Sequence, residues 1–295
     1  MIFLIFFLGF LGLSLVIGLF FALLKRAKIL AVTLFFLLLI GVIGFVIYPA
    51  VKSEGLTGLL SRTETFLEQF QEEDTKNGDL SSCYLEPLSS DATSTVSEGS
   101  AAYGAIIQLG DLDLYGRSTF AHIRLSDDQE PGNHGEERNE YINVDPAGWK
   151  NFKIHGNWVN NRCHLIGYQF SGLNDELRNL SIGTSYLNKG TEGSGTDEDN
   201  PDCMLFYEQR LDDWLYENPE KELDLYVRPI YEGANMTPTC YYMQWVGFND
   251  AGEQVPIEIG GHSETVKGNI KGVLLQNRSP SCTIDYERGE ITIKE

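Results

Sequence analysis

An arginine and a histidine stand two positions apart at residues 161–164 (Asn-Arg-Cys-His), and their side chains suit phosphodiester hydrolysis. Alternate residues of an extended strand project to the same face, so Arg162 and His164 would lie side by side. A guanidinium binds phosphate oxygens in bidentate fashion, and an imidazole accepts a proton near neutral pH. The competing interpretation, which a lone histidine favours, is a structural histidine held in a strand.

Two later segments carry groups that would complete such a site. Residues 179–188 have the composition of a loop that enters a helix. Residues 204–215 place apolar side chains at helical spacing, which predicts a helix that carries Glu208. An asparagine carbonyl oxygen is an adequate ligand for a hard cation such as Mg²⁺, because that ion keeps several waters. A histidine, an amide and a carboxylate are therefore predicted to converge from a strand and a helix.

These segments resemble the DNA/RNA non-specific endonuclease family, whose members are ββα-metal (His-Me finger) nucleases. The resemblance is closest to the membrane-attached DNA-entry nucleases of Gram-positive bacteria and runs from about residue 110 to residue 295. It also rests on residues 112–117, 145–149 and 284–290. The family carries its catalytic histidine in Asp-Arg-Gly-His; here the arginine and histidine are kept, whereas the Asp and Gly are replaced by Asn161 and Cys163.

The resemblance implies a role for each residue that matches a family position. It makes His164 the general base, Arg162 a clamp on the phosphate, Asn188 the ligand of Mg²⁺ (with Mn²⁺ as the alternative), Asn179 a second active-site amide, and Glu208 an acceptor that orients metal-bound water. Many members have an arginine one turn after that glutamate. Here the position is Asp212, with Arg210 nearby, so this role is left open.

Residues 189–203 separate Asn188 from Glu208 more widely than the family spacing. The Gly and Ser of this insertion indicate a loop that bulges outward. Its five acidic residues could bind a cation, but a solvated loop is the favoured interpretation.

Strands and helices must position these groups, and we predict an α+β fold for residues 101–295. We expect an antiparallel sheet with flanking helices and a ββα-metal finger, and residues 227–231 and 240–246 alternate as strands of that sheet. The five cysteines form no zinc-binding spacing. Cys240 and Cys282 are the first candidates for a disulfide, and Cys163 is the candidate for a free thiol.

The first fifty residues are predicted to form a transmembrane hairpin. Residues 1–24 carry no charged side chain and would span roughly 36 Å as a helix. A second apolar run covers residues 29–47, and three basic residues lie between the two runs. Basic loops stay in the cytoplasm, so residues 101–295 are expected outside the cell membrane, after an acidic juxtamembrane segment and linker at 51–100.

The charge of the chain limits the classes of function. There are 42 acidic and 22 basic residues, a net charge of −20, which argues against a protein that coats nucleic acid. The mean hydropathy of −0.17 excludes a polytopic transporter. A nuclease with this charge needs its cations gathered at the groove, a partner that delivers the DNA, or bridging metal ions. The candidate cations are Arg117, Arg124, Lys150, Lys153, Arg162, Arg178, Lys189 and Arg210.

The expected partners are DNA, with RNA as a second candidate substrate, the membrane through the hairpin, and an uptake machinery or an inhibitor protein. Two alternatives stay open at this stage. The chain could be a catalytically inactive, surface-anchored binding module on a nuclease scaffold. It could also be a toxin-like nuclease with a cognate inhibitor, although a two-helix anchor speaks against a released toxin.

Overall fold

A computed structural model describes residues 80–139 and 141–294. The predicted hairpin at residues 1–50 and most of the acidic segment after it lie outside this range. Within the range, no helix combines the length and the apolar character that crossing a bilayer requires.

Thirteen strands and three α-helices form the described part of the chain. The strands are β1 Ile106–Leu109, β2 Ala121–Ser126, β3 Lys153–Ile154, β4 Asn157–Trp158, β5 Asn160–His164, β6 Leu180–Thr184, β7 Glu222–Ile230, β8 Cys240–Phe248, β9 Gln254–Val255, β10 Glu264–Lys267, β11 Ile270–Gln276, β12 Cys282–Asp285 and β13 Glu290–Ile293. The helices are α1 Tyr168–Ser171, α2 Ser185–Lys189 and α3 Met204–Glu217. Short 3-10 turns cover Leu80–Cys83, Gly99–Tyr103, Asp127–Gln129, Pro131–His134 and Leu177–Asn179.

The central sheet is antiparallel and has the strand order β1-β2-β7-β8-β11-β10, with β9 paired to β8. Strands β7 and β8 pair over nine residues each, from Glu222 opposite Phe248 to Ile230 opposite Cys240. Both are rich in aromatic and β-branched residues, and β8 is buried along its whole length. The prediction of an α+β fold built on an antiparallel sheet is confirmed.

Helix α3 packs against this sheet through one apolar stripe. Met204, Tyr207, Leu211 and Leu215 recur at spacings of three and four residues, and all four are buried. They join the main core together with residues of β1, β2, β7, β8 and β11. The helix predicted over 204–215 is confirmed, and it brings Glu208 to a fixed position beside the sheet.

Strands β5 and β6 and helix α2 form a small β-β-α unit. His164 is paired with Leu180 and Asn160 with Thr184 in an antiparallel ladder. The sequence indicates a loop that enters a helix over residues 179–188. Residues 180–184 of it are nevertheless all buried as β6. Gly183 is required here, since a Cβ at this position would lie 2.8 Å from the Sγ of Cys163.

The chain before residue 101 lies along the sheet, although the sequence indicates a linker over 89–100. The backbone N–H of Thr95 donates to the carbonyl of Ile107 at 2.8 Å. The N–H of Leu88 donates to the buried carboxylate of Asp224, which also pairs with His122 at 2.7 Å. Backbone hydrogen bonds of this kind explain how a polar segment with few apolar side chains becomes ordered.

All five cysteines lie in the described residues, all are buried, and none forms a disulfide. The predicted Cys240–Cys282 pair is therefore wrong. The physical reason is packing: Cys240 shares a cluster with Cys83, whereas Cys282 packs with Ile154 and Val159 in a separate cluster.

Candidate active site

The imidazole of His164 is buried at the end of β5, with 8% of the residue exposed. Its Nε2 lies 3.1 Å from the backbone oxygen of Asn174. A carbonyl only accepts hydrogen bonds, so Nε2 carries the proton and Nδ1 keeps its lone pair. Burial lowers the pKa of His164 to about 4, although the Asn174 carbonyl opposes the shift. The ring is therefore neutral at physiological pH and able to accept a proton.

The amide of Asn188 lies against the residue that precedes this histidine. The thiol of Cys163 donates to Oδ1 of Asn188 at 2.9 Å and is also 3.6 Å from the sulfur of Met204. A carbonyl oxygen has two lone pairs, so one stays available for a cation. Helix α2 thus holds its amide against Cys163 of β5, and the convergence of this amide with His164 stays a prediction.

Glu208 is the third group of the site, and 8% of it is exposed. Burial raises the pKa of its carboxyl group to about 7, while the positive charge of Arg138 and a backbone hydrogen bond from Gly167 oppose the shift. A carboxylate that lacks solvent in this way gains from any additional cation placed near it. The charge of Glu208 also raises the pKa of the Cys163 thiol, after the larger effect of burial.

Arg138 joins the site without any signal in the sequence that would have singled it out. Its charge lowers the pKa of both His164 and Glu208, so it lies near both groups. The guanidinium is 5.7 Å from the ring centroid of Tyr168, and no carboxylate within residues 80–139 and 141–294 forms a salt bridge with it. Only the tertiary fold brings it to the site, because residues 135–139 read as an exposed, Gly- and Glu-rich loop.

Arg162 and Asn179 have other partners. The Nε of Arg162 donates to Asp145 at 2.7 Å, and its guanidinium lies 4.6 Å from the ring centroid of Trp149. The amide of Asn179 is fully buried and bonds both the N–H and the carbonyl of Ile166 at 3.0 Å. Asn179 thus fixes the backbone that follows His164, and the catalytic role expected for its side chain stays a prediction.

A pair of carboxyl groups lies one helical turn beyond Glu208. Asp212, at the position of the family arginine, shares a hydrogen bond with Glu130. Burial and the neighbouring Asp212 raise the pKa of Glu130 to about 9, and burial also raises the pKa of Asp212. Two carboxyl groups in contact cannot both ionise, so Glu130 is protonated at neutral pH and donates to Asp212.

The insertion at 189–203 is attached to the domain at several points. Glu192 accepts hydrogen bonds from the side chains of Ser279 and Ser281, and Asp202 pairs with Arg278 at 2.7 Å. Residues 194–199 stay exposed, as expected for a solvated loop. No group of three or more His, Cys, Asp or Glu side chains within the described residues is arranged to hold a metal ion.

Most of the candidate cations are engaged in structural contacts. Arg117 and Arg124 are buried and bind Asp113 and Glu222, while Arg178 pairs with Glu176. Three other candidate cations donate hydrogen bonds to backbone carbonyls, namely Lys150, Lys189 and Arg210. Arg162 lies on β5 itself, and Lys153 lies on β3.

Solved structures of known proteins are similar to this protein over most of its chain. An extracellular endonuclease is 33% identical, with a TM-score of 0.56, and the match covers 74% of this chain and 94% of that one. An extracellular nuclease is 35% identical, with a TM-score of 0.54, and the match covers 70% of this chain and 100% of the other. A more distant structure is NucA from Streptococcus agalactiae with a magnesium ion bound, 18% identical with a TM-score of 0.46, covering 68% of this chain and 84% of that chain.

One sequence-level comparison finds no match, and the other agrees with the structural comparisons. No curated protein sequence matches the chain. A sequence model of the DNA/RNA non-specific endonuclease family matches residues 99–245, the range that holds His164, Asn188 and Glu208. The chain therefore belongs to the DNA/RNA non-specific endonuclease family and is a nuclease hydrolase.

Proposed function

We propose that the chain is an extracellular, membrane-anchored endonuclease that hydrolyses DNA, and RNA as a second substrate, with the help of a divalent cation. The observation that carries this proposal is the neutral, buried His164, whose Nε2 is fixed by Asn174 and whose preceding residue, Cys163, donates to the amide of Asn188. Recognition through phosphate contacts would give little sequence preference, because base edges are not read.

His164 is the general base of the proposed reaction. Its neutral imidazole takes a proton from the attacking water at Nδ1, while the carbonyl of Asn174 keeps Nε2 protonated and the ring oriented. Arg138 supplies positive charge for the phosphate, and Arg162 adds a second guanidinium once it exchanges Asp145 for the substrate. Glu208 orients water by accepting its hydrogen bonds.

The donor set fits a hard, hydrated cation. Asn188 offers a carbonyl oxygen. Burial raises the pKa of Glu208 to about 7, so a cation bound nearby would favour the charged form of its carboxyl group. When bound, Mg²⁺ or Mn²⁺ would stabilise charge on the scissile phosphate and on the leaving oxygen. Asn188 would hold the ion directly.

A His164→Ala variant tests the proposal. We expect plasmid nicking in Mg²⁺ to fall by at least ~100-fold, because the general base is lost. His262→Ala is the matched control: His262 is an exposed histidine that pairs with Asp202 away from β5, and its loss should leave nicking unchanged. The melting temperatures of the two variants show whether the fold is intact.

Nicking by His164→Ala at the wild-type rate would contradict the assignment of the base. A wild-type protein that cuts neither DNA nor RNA in Mg²⁺ or Mn²⁺ would instead favour the inactive binding module.

The anchor and the location follow from the sequence and from the named relatives. Residues 1–24 and 29–47 are long enough and apolar enough to cross a membrane twice, and the basic loop between them favours a cytoplasmic turn. Two relatives are named extracellular nucleases. Both observations support a catalytic domain that faces the outside of the cell, where it meets nucleic acid released by other cells.

A further inference from the structure

A long basic segment leads to His164 in an otherwise acidic chain. Residues 146–174 contain no Asp or Glu, and no other acid-free stretch within the described residues is as long. The segment carries Lys150, Lys153 and Arg162, together with two of the four tryptophans of the chain. Such a distribution is typical of a surface that follows a nucleic-acid backbone.

This segment folds back on itself as an antiparallel ribbon. Strands β3 and β4 pair Lys153 with Trp158. The same register continues toward β5, because the N–H of Val159 donates to the carbonyl of Phe152 at 2.9 Å. We refer to residues 149–162 as the basic ribbon.

The two ends of the basic ribbon carry the same kind of pair. The Nζ of Lys153 lies 4.3 Å from the ring centroid of Trp158, and the guanidinium of Arg162 lies 4.6 Å from that of Trp149. Trp149 is four residues before Lys153, and Arg162 is four residues after Trp158, so the register places the second pair opposite each other as well. The two pairs therefore follow one another along the basic ribbon, with the bend at Val159 between them.

Trp158 is the more exposed of the two tryptophans, with 53% of its surface accessible. An indole ring at the surface, flanked by an ammonium group, offers a base a stacking platform and a phosphate a counter-charge. Trp158 lies four residues before Arg162 and six residues before His164, so the chain between Trp158 and His164 spans at most about 20 Å at ~3.3 Å per residue. A bound strand would therefore reach from the indole to the imidazole.

A cleft that borders the hydrogen-bond partner of His164 is acidic and repels phosphate. This cleft of about 620 Å³ borders Asn174, the residue that binds the imidazole, and four carboxylate residues line it. They are Glu98, Glu136, Asp175 and Glu176. Because like charges repel, the substrate strand is expected to extend from the imidazole along the basic ribbon rather than into this cleft.

We propose that the basic ribbon is a binding subsite for an unpaired nucleic-acid strand, with one base stacked on Trp158 and phosphates held by Lys153 and Arg162. The inference rests on the proposed function and specifies its substrate class. Bases in a duplex are stacked on each other and cannot cover the indole, so unpaired strands bind better than paired ones. A single strand of DNA and one of RNA share this chemistry.

Binding is measured separately from cleavage, in EDTA, with full-length protein that carries His164→Ala. The probes are labelled oligothymidylate, labelled oligouridylate and a DNA duplex of matched length. We expect Trp158→Ala to weaken binding of either single strand by about tenfold or more, and binding of the duplex by less than about twofold. Trp158→Phe keeps an aromatic face and should restore most of the single-strand affinity.

Two controls match the tested residues. Tyr216→Ala removes another exposed aromatic side chain, on the far end of α3, and should not change the affinity. Lys153→Ala should weaken binding of all three probes several-fold, whereas Lys267→Ala, an exposed lysine 4.6 Å from the ring of Tyr84, should not.

Unchanged single-strand affinity in Trp158→Ala, or an equal loss for strand and duplex, would overturn the subsite. Loss of binding to oligouridylate alone would likewise contradict the shared chemistry. A failure of the proposed nuclease function is seen elsewhere, as absence of cleavage by the wild-type protein in Mg²⁺, and leaves the binding result interpretable.

Discussion

The thiol of Cys163 occupies a position where the family motif has glycine, and it changes what holds the amide of Asn188. The sulfur is completely buried and donates to Oδ1 at 2.9 Å. Gly183 gives it room, because a side chain there would meet the sulfur at 2.8 Å. Burial keeps the pKa of this thiol well above its ordinary value, so it stays a neutral donor.

Cys163→Ala should therefore raise the Mg²⁺ concentration for half-maximal nicking by about tenfold, because a donor that orients a metal ligand is lost. Cys163→Ser retains a hydroxyl donor and should lie nearer to the wild type. The increase in melting temperature on adding Mg²⁺ gives a second readout that does not depend on catalysis. Identical magnesium titrations for the alanine and wild-type proteins would argue against a positioning role.

The residues of the site differ in how well they could be predicted from the sequence. Arg162 and His164 lie on one strand as their spacing predicts, since period two is a property of the strand itself. Arg138 and the Glu130–Asp212 pair could not be found in this way. They are exposed or half-buried polar residues far apart in the chain, and their electrostatic relations exist only after β5, α3 and the loop before residue 139 have packed together.

Helices and strands could be predicted from the sequence where their apolar residues follow a strong periodic pattern. Helix α3 and strands β7 and β8 have regular buried faces, and the predicted positions agree with the observed ones. Strand β6 has a buried sequence of small and polar residues, which local patterns assign to a loop. Its strand conformation comes from pairing with β5 and from the side chain of Asn277, which accepts the N–H of Thr184 at 2.8 Å.

Beside the contact between α3 and the turn at Asp127–Gln129, the carboxyl group of Glu130 carries a proton that can be titrated. The pKa of Glu130 is about 9 in the folded protein against an ordinary 4.5, so folding binds this proton more tightly. The stabilisation is complete below the ordinary pKa and is lost as the pH rises toward the folded value. Alkaline conditions should thus loosen the helix that carries Glu208.

Glu130→Gln keeps a hydrogen-bond donor for Asp212 and has no proton to lose. We expect it to be more stable than the wild type by about 1 kcal/mol near pH 8, a figure reduced for partial solvation, and to match it near pH 5. Urea unfolding at the two pH values measures the difference. Glu217→Gln, at the exposed end of α3, is the control, and a gain that does not grow with pH would refute the shared proton.

At the scale of the whole molecule, the net charge of −20 is reconciled with a polyanionic substrate by local arrangement. Most of the eight candidate lysines and arginines bind carboxylates or backbone carbonyls, and few cations remain near β5. Binding through so few phosphate contacts is weak, which suits an enzyme that must release its products.

The proposed anchor is also a property of the whole chain. Full-length protein should remain with the membrane fraction after washing with alkaline carbonate, because two apolar segments would be embedded in the bilayer. A variant that lacks residues 1–50 should appear in the soluble fraction and still nick plasmid DNA, since every proposed site residue lies beyond residue 129. Release of the full-length protein by carbonate would contradict the hairpin.

The five buried sulfhydryl groups have a consequence for how the enzyme matures. A fold with no cross-link to close requires no oxidant and no thiol-exchange catalyst, so its assembly is not tied to one cellular compartment. The domain can therefore complete folding in reducing or in oxidising surroundings, and it keeps its shape when the redox state around it changes.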